Sequence, residues 1–331
     1  MADKQPLKLS VEQSYSIRNL KIFIQTNWIN LVFGFLILLI LPYMALLVDS
    51  YNEIIQSRQS GNPSYEWPSY KDLSTSLAAA VVIFIVHFCL KLLFKPIALK
   101  LADHVTVDKE GKAEQINGFL NKICYFGFSC FFAFYVAKDA DFFPVSLGGK
   151  GSTEHMFRDY PYQEPLPLIR EYLLIQLGHH FYNFAVHVCQ APRGDFIEML
   201  LHHILTILLM GIGYFMNCLN VSLLILFVHD TSDLALYVTR ICINSRISAI
   251  KICSYVSLLV VWSYLRLFVY YREIVAFITF RMPIEIYAIN FVILMLFSLL
   301  MLNSYWLFLI VMAGVRSLKT NSLQETENRA S

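Results

Sequence analysis

Two adjacent histidines, His202 and His203, lie inside an apolar run that extends from Phe196 to Met210. The following apolar run carries His229, Asp230 and Asp233, and the preceding one carries His179, His180, Asn183 and His187. An ionisable side chain at membrane depth costs about 2.5–3.5 kcal/mol even on lenient insertion scales, and such groups face a bundle interior or a wet cavity. Several of them in consecutive apolar runs therefore point to a reaction or transport site. An imidazole, with an ordinary pKa of about 6.5, can take a proton from an attacking amine or alcohol, or can itself attack a thioester. A carboxylate beside it fixes the tautomer and stabilises the imidazolium.

Three chemistries use histidine and aspartate in this way. A di-iron oxygenase requires repeated HxxxH and HxxHH boxes, and none occurs among the nine histidines here. No other metal-ligand spacing is present, so no metal and no bound cofactor is expected. A proton-coupled transporter would show inverted repeats and broken helices, which the pattern lacks. Acyl transfer fits the residues present.

Helical spacing decides which groups share a face. His180, Asn183 and His187 follow i, i+3, i+7 spacing. Asp230 and Asp233 are i, i+3, and His229 and Asp233 are i, i+4. His202 and His203 point about 100° apart, so one can be the chemical residue and the other its scaffold, or both can line a broad cavity. At about 1.5 Å per residue the histidine pair lies roughly 8–9 Å from one end of its span, and Asp233 and Asp230 lie about 10 and 15 Å from the same side.

The elements that must position these groups are membrane helices. Of 331 residues 57% are hydrophobic and 15% are charged, against about 25% charged in an ordinary soluble domain. Apolar runs long enough to cross a bilayer recur along the chain, which predicts an all-α polytopic membrane protein. About eight spans are read, near 28–48, 74–94, 119–138, 168–189, 197–216, 220–240, 250–271 and 287–312. Polar tails flank them at 1–27 and from Arg316 onward, the latter read as disordered. The segment 139–167, rich in Gly, Pro and acidic residues, reads as an extramembrane loop. The seven cysteines have no CxxC spacing, which argues against a disulfide framework or a zinc site. A net charge of +2 without a basic block gives no reason to expect nucleic-acid binding. Lys and Arg outnumber those of the other side about two to one in the loops that share a side with both termini, which places both termini in the cytosol.

The stretch from Arg193-Gly194-Asp195-Phe196 through Glu198 to His202-His203 and Thr206 resembles the signature of the TLC-domain ceramide synthases. The segment His229-Asp230-Thr231-Ser232-Asp233 resembles that family's second conserved segment, at matching spacing. The resemblance covers about 75–316. An extra first span at 28–48 and the lack of a homeobox-like insert are similar to the fungal-type members. Span four departs from the family pattern at His179 and His180. The resemblance implies an endoplasmic-reticulum enzyme that joins a fatty acyl group from acyl-CoA to a sphingoid base, with membrane lipids as surroundings and a homo- or heterodimer as a possible assembly. It implies that the later helices form a barrel around an acyl-chain tunnel. His202 and His203 would act as nucleophile or base, with Asp230 and Asp233 orienting them. Arg193, Arg240 and Arg246 are candidates for the CoA phosphates, and Asn183, His180 and His229 for other substrate contacts. The segment 271–285 would influence acyl length. The alternative is a TLC protein that binds or senses lipid, or associates with the translocon, without turnover. Such relatives generally lose the histidine pair or the aspartate block, and this chain keeps both.

Overall fold

The computed structural model describes residues 67–102, 108–160, 162–190, 196–245, 247–281 and 289–330, with positions 52 and 56. The expected first span and the N-terminal tail lie outside the described residues. Among those described, the regular elements are helices: α1 (Leu73–Leu101), α2 (Lys109–Ala137), α3 (Ile169–Cys189), α4 (Phe196–Phe215), α5 (Leu219–Cys242), α6 (Ser248–Trp262) and α7 (Ile289–Ala330). A π-helical segment, Ser263–Val275, and a short turn of helix, Ala276–Arg281, prolong α6. Six helices are long and apolar enough to cross a membrane. The seventh, α3, has the length but is diluted by its own glutamine, asparagine and histidines. The last helix runs to Ala330, so the region beyond Arg316 is helical where a disordered tail was expected. Its Leu, Lys, Gln, Glu and Arg residues are good helix formers that offset its Ser, Thr and Asn residues, so the hydrogen-bond ladder of α7 continues through it.

Each element has a local cause. α1 is apolar on all sides, as a helix immersed in lipid must be, and Leu77, Val81, Phe84, Phe88 and Leu92 point outward from the protein. Ser69 and Asp72 form a reciprocal capping box at its start, with Ser69 N–H donating to Asp72 Oδ2 at 2.8 Å. The same carboxylate accepts from Tyr214 Oη at 2.8 Å, which ties the start of α1 to the end of α4. α2 begins ten residues before its apolar stretch because the Asp108 side chain caps it, accepting from Gly111 N–H at 3.1 Å. The α4–α5 turn is tight because Asn217 adopts φ +59°, a conformation asparagine tolerates better than most residues.

Packing follows helix by helix. α1 lies on α3 and α2, α2 on α5, α3 on α4, α5 on α6 and its π segment, and α7 on the π segment and α4. Segment 139–167 is a folded cap. Phe142, Phe143, Met156 and Phe157 are buried. Phe143 meets Phe227 edge-on at 5.4 Å, and Phe157 stacks on Phe277 at 6.2 Å. Thr153 Oγ1 donates to Glu273 at 2.9 Å, and Tyr160 Oη donates to the Met216 carbonyl at 2.9 Å. Helix ends at the 139–167 side are called the cap end below, and the opposite ends the mouth end.

The α1–α3 contact depends on Gly178. A Cβ there would lie 2.5 Å from the Ser76 carbonyl oxygen and 2.9 Å from Ala79 Cβ. Gly178→Val is expected to cost about 1–3 kcal/mol by overpacking, lowering the melting temperature of the detergent-solubilised protein. Gly118→Ala, where nothing lies within 4 Å, is expected to leave it unchanged or raise it slightly. Equal melting temperatures for Gly178→Val and wild type would remove this contact from the account of stability.

Candidate active site

A cavity of about 1540 Å³ runs between the helices. Its α4 wall is formed by Glu198, Met199, His202, His203, Thr206, Leu209 and Met210, which recur at helical spacing and make one face. Its α5 wall runs from Arg240 and Tyr237 through Asp233, Asp230 and His229 to Leu226, Ile225 and Ser222. Both walls are polar toward the mouth end and largely apolar toward the cap end. A second chamber of about 60 Å³ lies deeper, shares Leu209, Ser222 and Ile225 with the first, and is closed by Phe157 and Tyr160 of the cap.

His202 and His203 sit at the change from polar to apolar lining. Their rings are 5.6 Å apart. His202 Nδ1 is 3.4 Å from Thr206 Oγ1, and its ring meets Trp306 edge-on at 5.0 Å. His203 is buried, lies 5.4 Å from the His187 ring, and its Nδ1 has no hydrogen-bond partner.

The aspartates line the same cavity but bind other groups. Asp230 Oδ2 accepts from Gln176 Nε2 at 2.6 Å and from Ser129 Oγ. Gln176 Nε2 also reaches Tyr172 Oη at 2.9 Å, and Tyr125 Oη donates to Gln176 Oε1 at 2.5 Å. This buried network joins α2, α3 and α5. Asp233 Oδ1 pairs with Arg266 Nη2 at 2.5 Å, the two side chains being 25% and 2% exposed. Each guanidinium nitrogen of Arg266 donates: Nε to Ser232 Oγ at 2.5 Å, Nη1 to Asn303 Oδ1 at 3.2 Å, and Nη2 also to the His229 carbonyl at 3.2 Å. Its guanidinium carbon lies 4.1 Å from the Trp262 ring centre. Neither carboxylate is hydrogen-bonded to His202 or His203. Each carboxylate found a nearer donor on a helix whose neighbours sequence spacing does not reveal.

The other expected residues divide clearly. His180, Asn183, His229 and Arg240 line the cavity. His229 is a scaffold residue, with Nδ1 2.7 Å from the Ile225 carbonyl and Nε2 3.1 Å from Asn303 Nδ2. Asn183 Nδ2 lies 2.7 Å from His179 Nε2, and the His179 ring stacks on Tyr125 at 3.4 Å. Arg240 lies over the Phe119 and Tyr237 rings at 5.4 and 5.3 Å, at the mouth end. Arg193 and Arg246 lie outside the described residues. Ser129, Gln176, Arg266, Asn303 and Trp306 were missed in the sequence. Gln176, Arg266 and Asn303 carried a usable signal, since each is a strongly polar residue inside an apolar run.

A TLC-domain family model matches residues 120–312, which contain the histidine pair and both polar networks of the site. The chain belongs to the TLC-domain family. It is similar to the sphingosine N-acyltransferase-like protein FUM17 of Gibberella moniliformis, at 29% identity over 168 residues, which are 50% of this chain and 41% of that one. It is similar to ceramide synthase hyl-2 of Caenorhabditis elegans, at 26% identity over 204 residues, 58% of this chain and 57% of that one. Sphingosine N-acyltransferase lag1 of Schizosaccharomyces pombe is 31% identical over 120 residues, 36% of this chain and 28% of that one. The chain thus spans about half the length of the first two relatives and less of the third.

The Arg266–Asp233 pair carries a stability prediction. Removing one partner of a buried ion pair costs about 3–5 kcal/mol because the other charge is left without compensation. Arg266→Ala and Asp233→Ala should each lower the melting temperature strongly, and the double variant should lose much less than their sum. Additive losses would mean that the two charges are energetically independent.

Proposed function

We propose that this TLC protein is an N-acyltransferase that joins the fatty acyl group of acyl-CoA to the amine of a sphingoid base, giving a ceramide or dihydroceramide. The observation that carries this reading is the placement of the His202–His203 pair at the junction of a polar mouth and an apolar floor in one cavity. A thioester lodged with its chain toward Leu209, Met210 and Leu299 brings its carbonyl to the imidazoles. The names of the relatives support the same chemistry.

In the step proposed, the amine nitrogen attacks the thioester carbonyl carbon while His202 or His203 takes the proton the amine loses. The carbon–sulfur bond then breaks, the sulfur leaves with the bond electrons, and the imidazolium returns the proton to it as a thiol. If the imidazole attacks first, the acyl group rests on its nitrogen and the amine displaces it, with the same products. Neither imidazole is hydrogen-bonded to a carboxylate, so each is free to accept a proton at the start of the cycle. Asp230 and Asp233 act from a distance: they fix the helices that carry the cavity wall and add negative charge around the developing imidazolium. The mouth-end cations Arg240 and Lys122, with Arg193 and Arg246, are proposed to meet the CoA phosphates.

The wider setting belongs to the same proposal. About eight spans, with those after the first closed in a barrel around the acyl tunnel, agree with the helix contacts, which can be followed from α1 through α3, α4, α7, α6, α5 and α2 back to α1. Both termini would lie in the cytosol and the protein in the endoplasmic reticulum, with a homo- or heterodimer as its assembly.

Two measurements test the reading. Purified wild-type protein incubated with acyl-CoA and a sphingoid base should yield N-acyl product, and His202→Ala together with His203→Ala should lower kcat by about 100-fold or more with normal membrane insertion. Binding of both lipids without product would assign the chain to the lipid-binding members instead. Leu209→Trp, which fills the floor, should shift product toward shorter acyl chains in a competition with mixed acyl-CoAs. An unchanged chain-length profile would place the acyl group elsewhere.

A further inference from the structure

Four carboxylates line the main cavity among the described residues: Glu114, Glu198, Asp230 and Asp233. Three have strong donors. Glu114 pairs with Lys91 at 2.5 Å, Asp233 with Arg266 at 2.5 Å, and Asp230 accepts from Gln176 and Ser129. Glu198 differs. Its Oε2 is buried and no donor reaches it. A carboxylate oxygen can only accept, so whatever satisfies it must bring N–H or O–H groups, and a cationic donor binds it most strongly. Leaving such an oxygen unmet is unfavourable enough that its retention calls for a partner.

Position narrows the partner. Glu198 is four residues before His202 on the same cavity-lining face of α4, about one helical turn or 6 Å nearer the mouth. The described cations of this cavity are engaged elsewhere: Lys122 Nζ donates to Tyr237 Oη at 2.8 Å, and Arg240 lies over the Phe119 and Tyr237 rings. Among the described residues none is left to bind Glu198, which leaves an external donor as its partner, seated within a turn of the imidazoles. Resting on the acyl-transfer reading above, we infer that Glu198 is the subsite for the protonated amine head of the long-chain base. There it holds the ammonium beside the imidazoles; one ammonium proton is released to water at the cavity mouth, which frees the nitrogen lone pair, and an imidazole takes the second as the amine attacks. The acyl-CoA, whose phosphates are anionic, is repelled from the same point, so one carboxylate sorts the two substrates into their places.

The test uses the full chain in detergent or liposomes. Glu198→Gln should raise KM for the sphingoid base at least 10-fold and change KM for acyl-CoA less than 2-fold, with Glu198→Asp recovering part of the loss. A second measurement needs no turnover. Octadecylamine should raise the wild-type melting temperature more than octadecanol does, and Glu198→Gln should erase that difference, Glu198→Asp reducing it. If Glu198→Gln does not fold, the Asp variant alone decides, since it keeps the charge but withdraws it by one methylene. Equal KM values in variant and wild type, or an amine-over-alcohol difference that survives both substitutions, would overturn the assignment. A wild-type protein that makes no N-acyl product but shows the Glu198-dependent preference for amine would sink the acyl-transfer reading and leave an amine subsite standing.

Discussion

A guanidinium placed among apolar helices needs acceptors for its donors, and the acceptors that Arg266 finds organise this protein. It reaches Asp233, Ser232 and the His229 carbonyl on α5, Asn303 on α7, and the Trp262 ring on its own helix. Three helices are locked in rotation by one side chain. Asn303 then turns to His229 and Trp306 packs on His202, so the orientation set at Arg266 is passed to the cavity wall. The π segment around Arg266 belongs to the same device, since wider i→i+5 turns occur mostly where a helix must re-aim side chains at a functional site.

A second polar knot balances the first. Asp230 is held by Gln176 and Ser129, with Tyr172 and Tyr125 behind them, and joins α5 to α2 and α3. Burying an unpaired carboxylate is prohibitive, whereas a fully satisfied network is stiff. The two aspartates, three residues apart on α5, thus fasten opposite sides of the cavity. The imidazoles between them stay out of both networks and keep free ring nitrogens. Rigid walls around uncommitted bases are the arrangement a proton-transfer site requires.

Much of the fold was legible in the sequence. The apolar runs placed the helix starts from 74 onward within two residues at every helix but α2, because hydrophobicity is imposed by the membrane itself, whereas α1 and α7 run on to Leu101 and Ala330, past the expected ends at 94 and 312. The exceptions have physical causes. α2 starts earlier because Asp108 caps a polar first turn, and helix continues through 271–281 where a loop was expected because the π segment carries the backbone hydrogen bonds onward. Segment 139–167 read as an extramembrane loop by its glycines and prolines; what the sequence did not show is that four of its large apolar side chains plug the bundle. Of the candidate site, the residues sharing the cavity were found by asking which ionisable groups sit inside apolar runs. Their partners were not, because Gln176, Arg266 and Asn303 come from three helices distant in sequence.

What the sequence determined by itself is which side chains cannot tolerate lipid and how far along a helix each one stands, since hydrophobicity and a 1.5 Å rise are local properties. Which donor each of those groups found was decided by the packing of helices. Rotation about a helix axis depends on contacts between residues far apart in the chain, so only the tertiary structure could give Asp233 to Arg266, Asp230 to Gln176, and leave the Oε2 oxygen of Glu198 without a protein donor among the described residues.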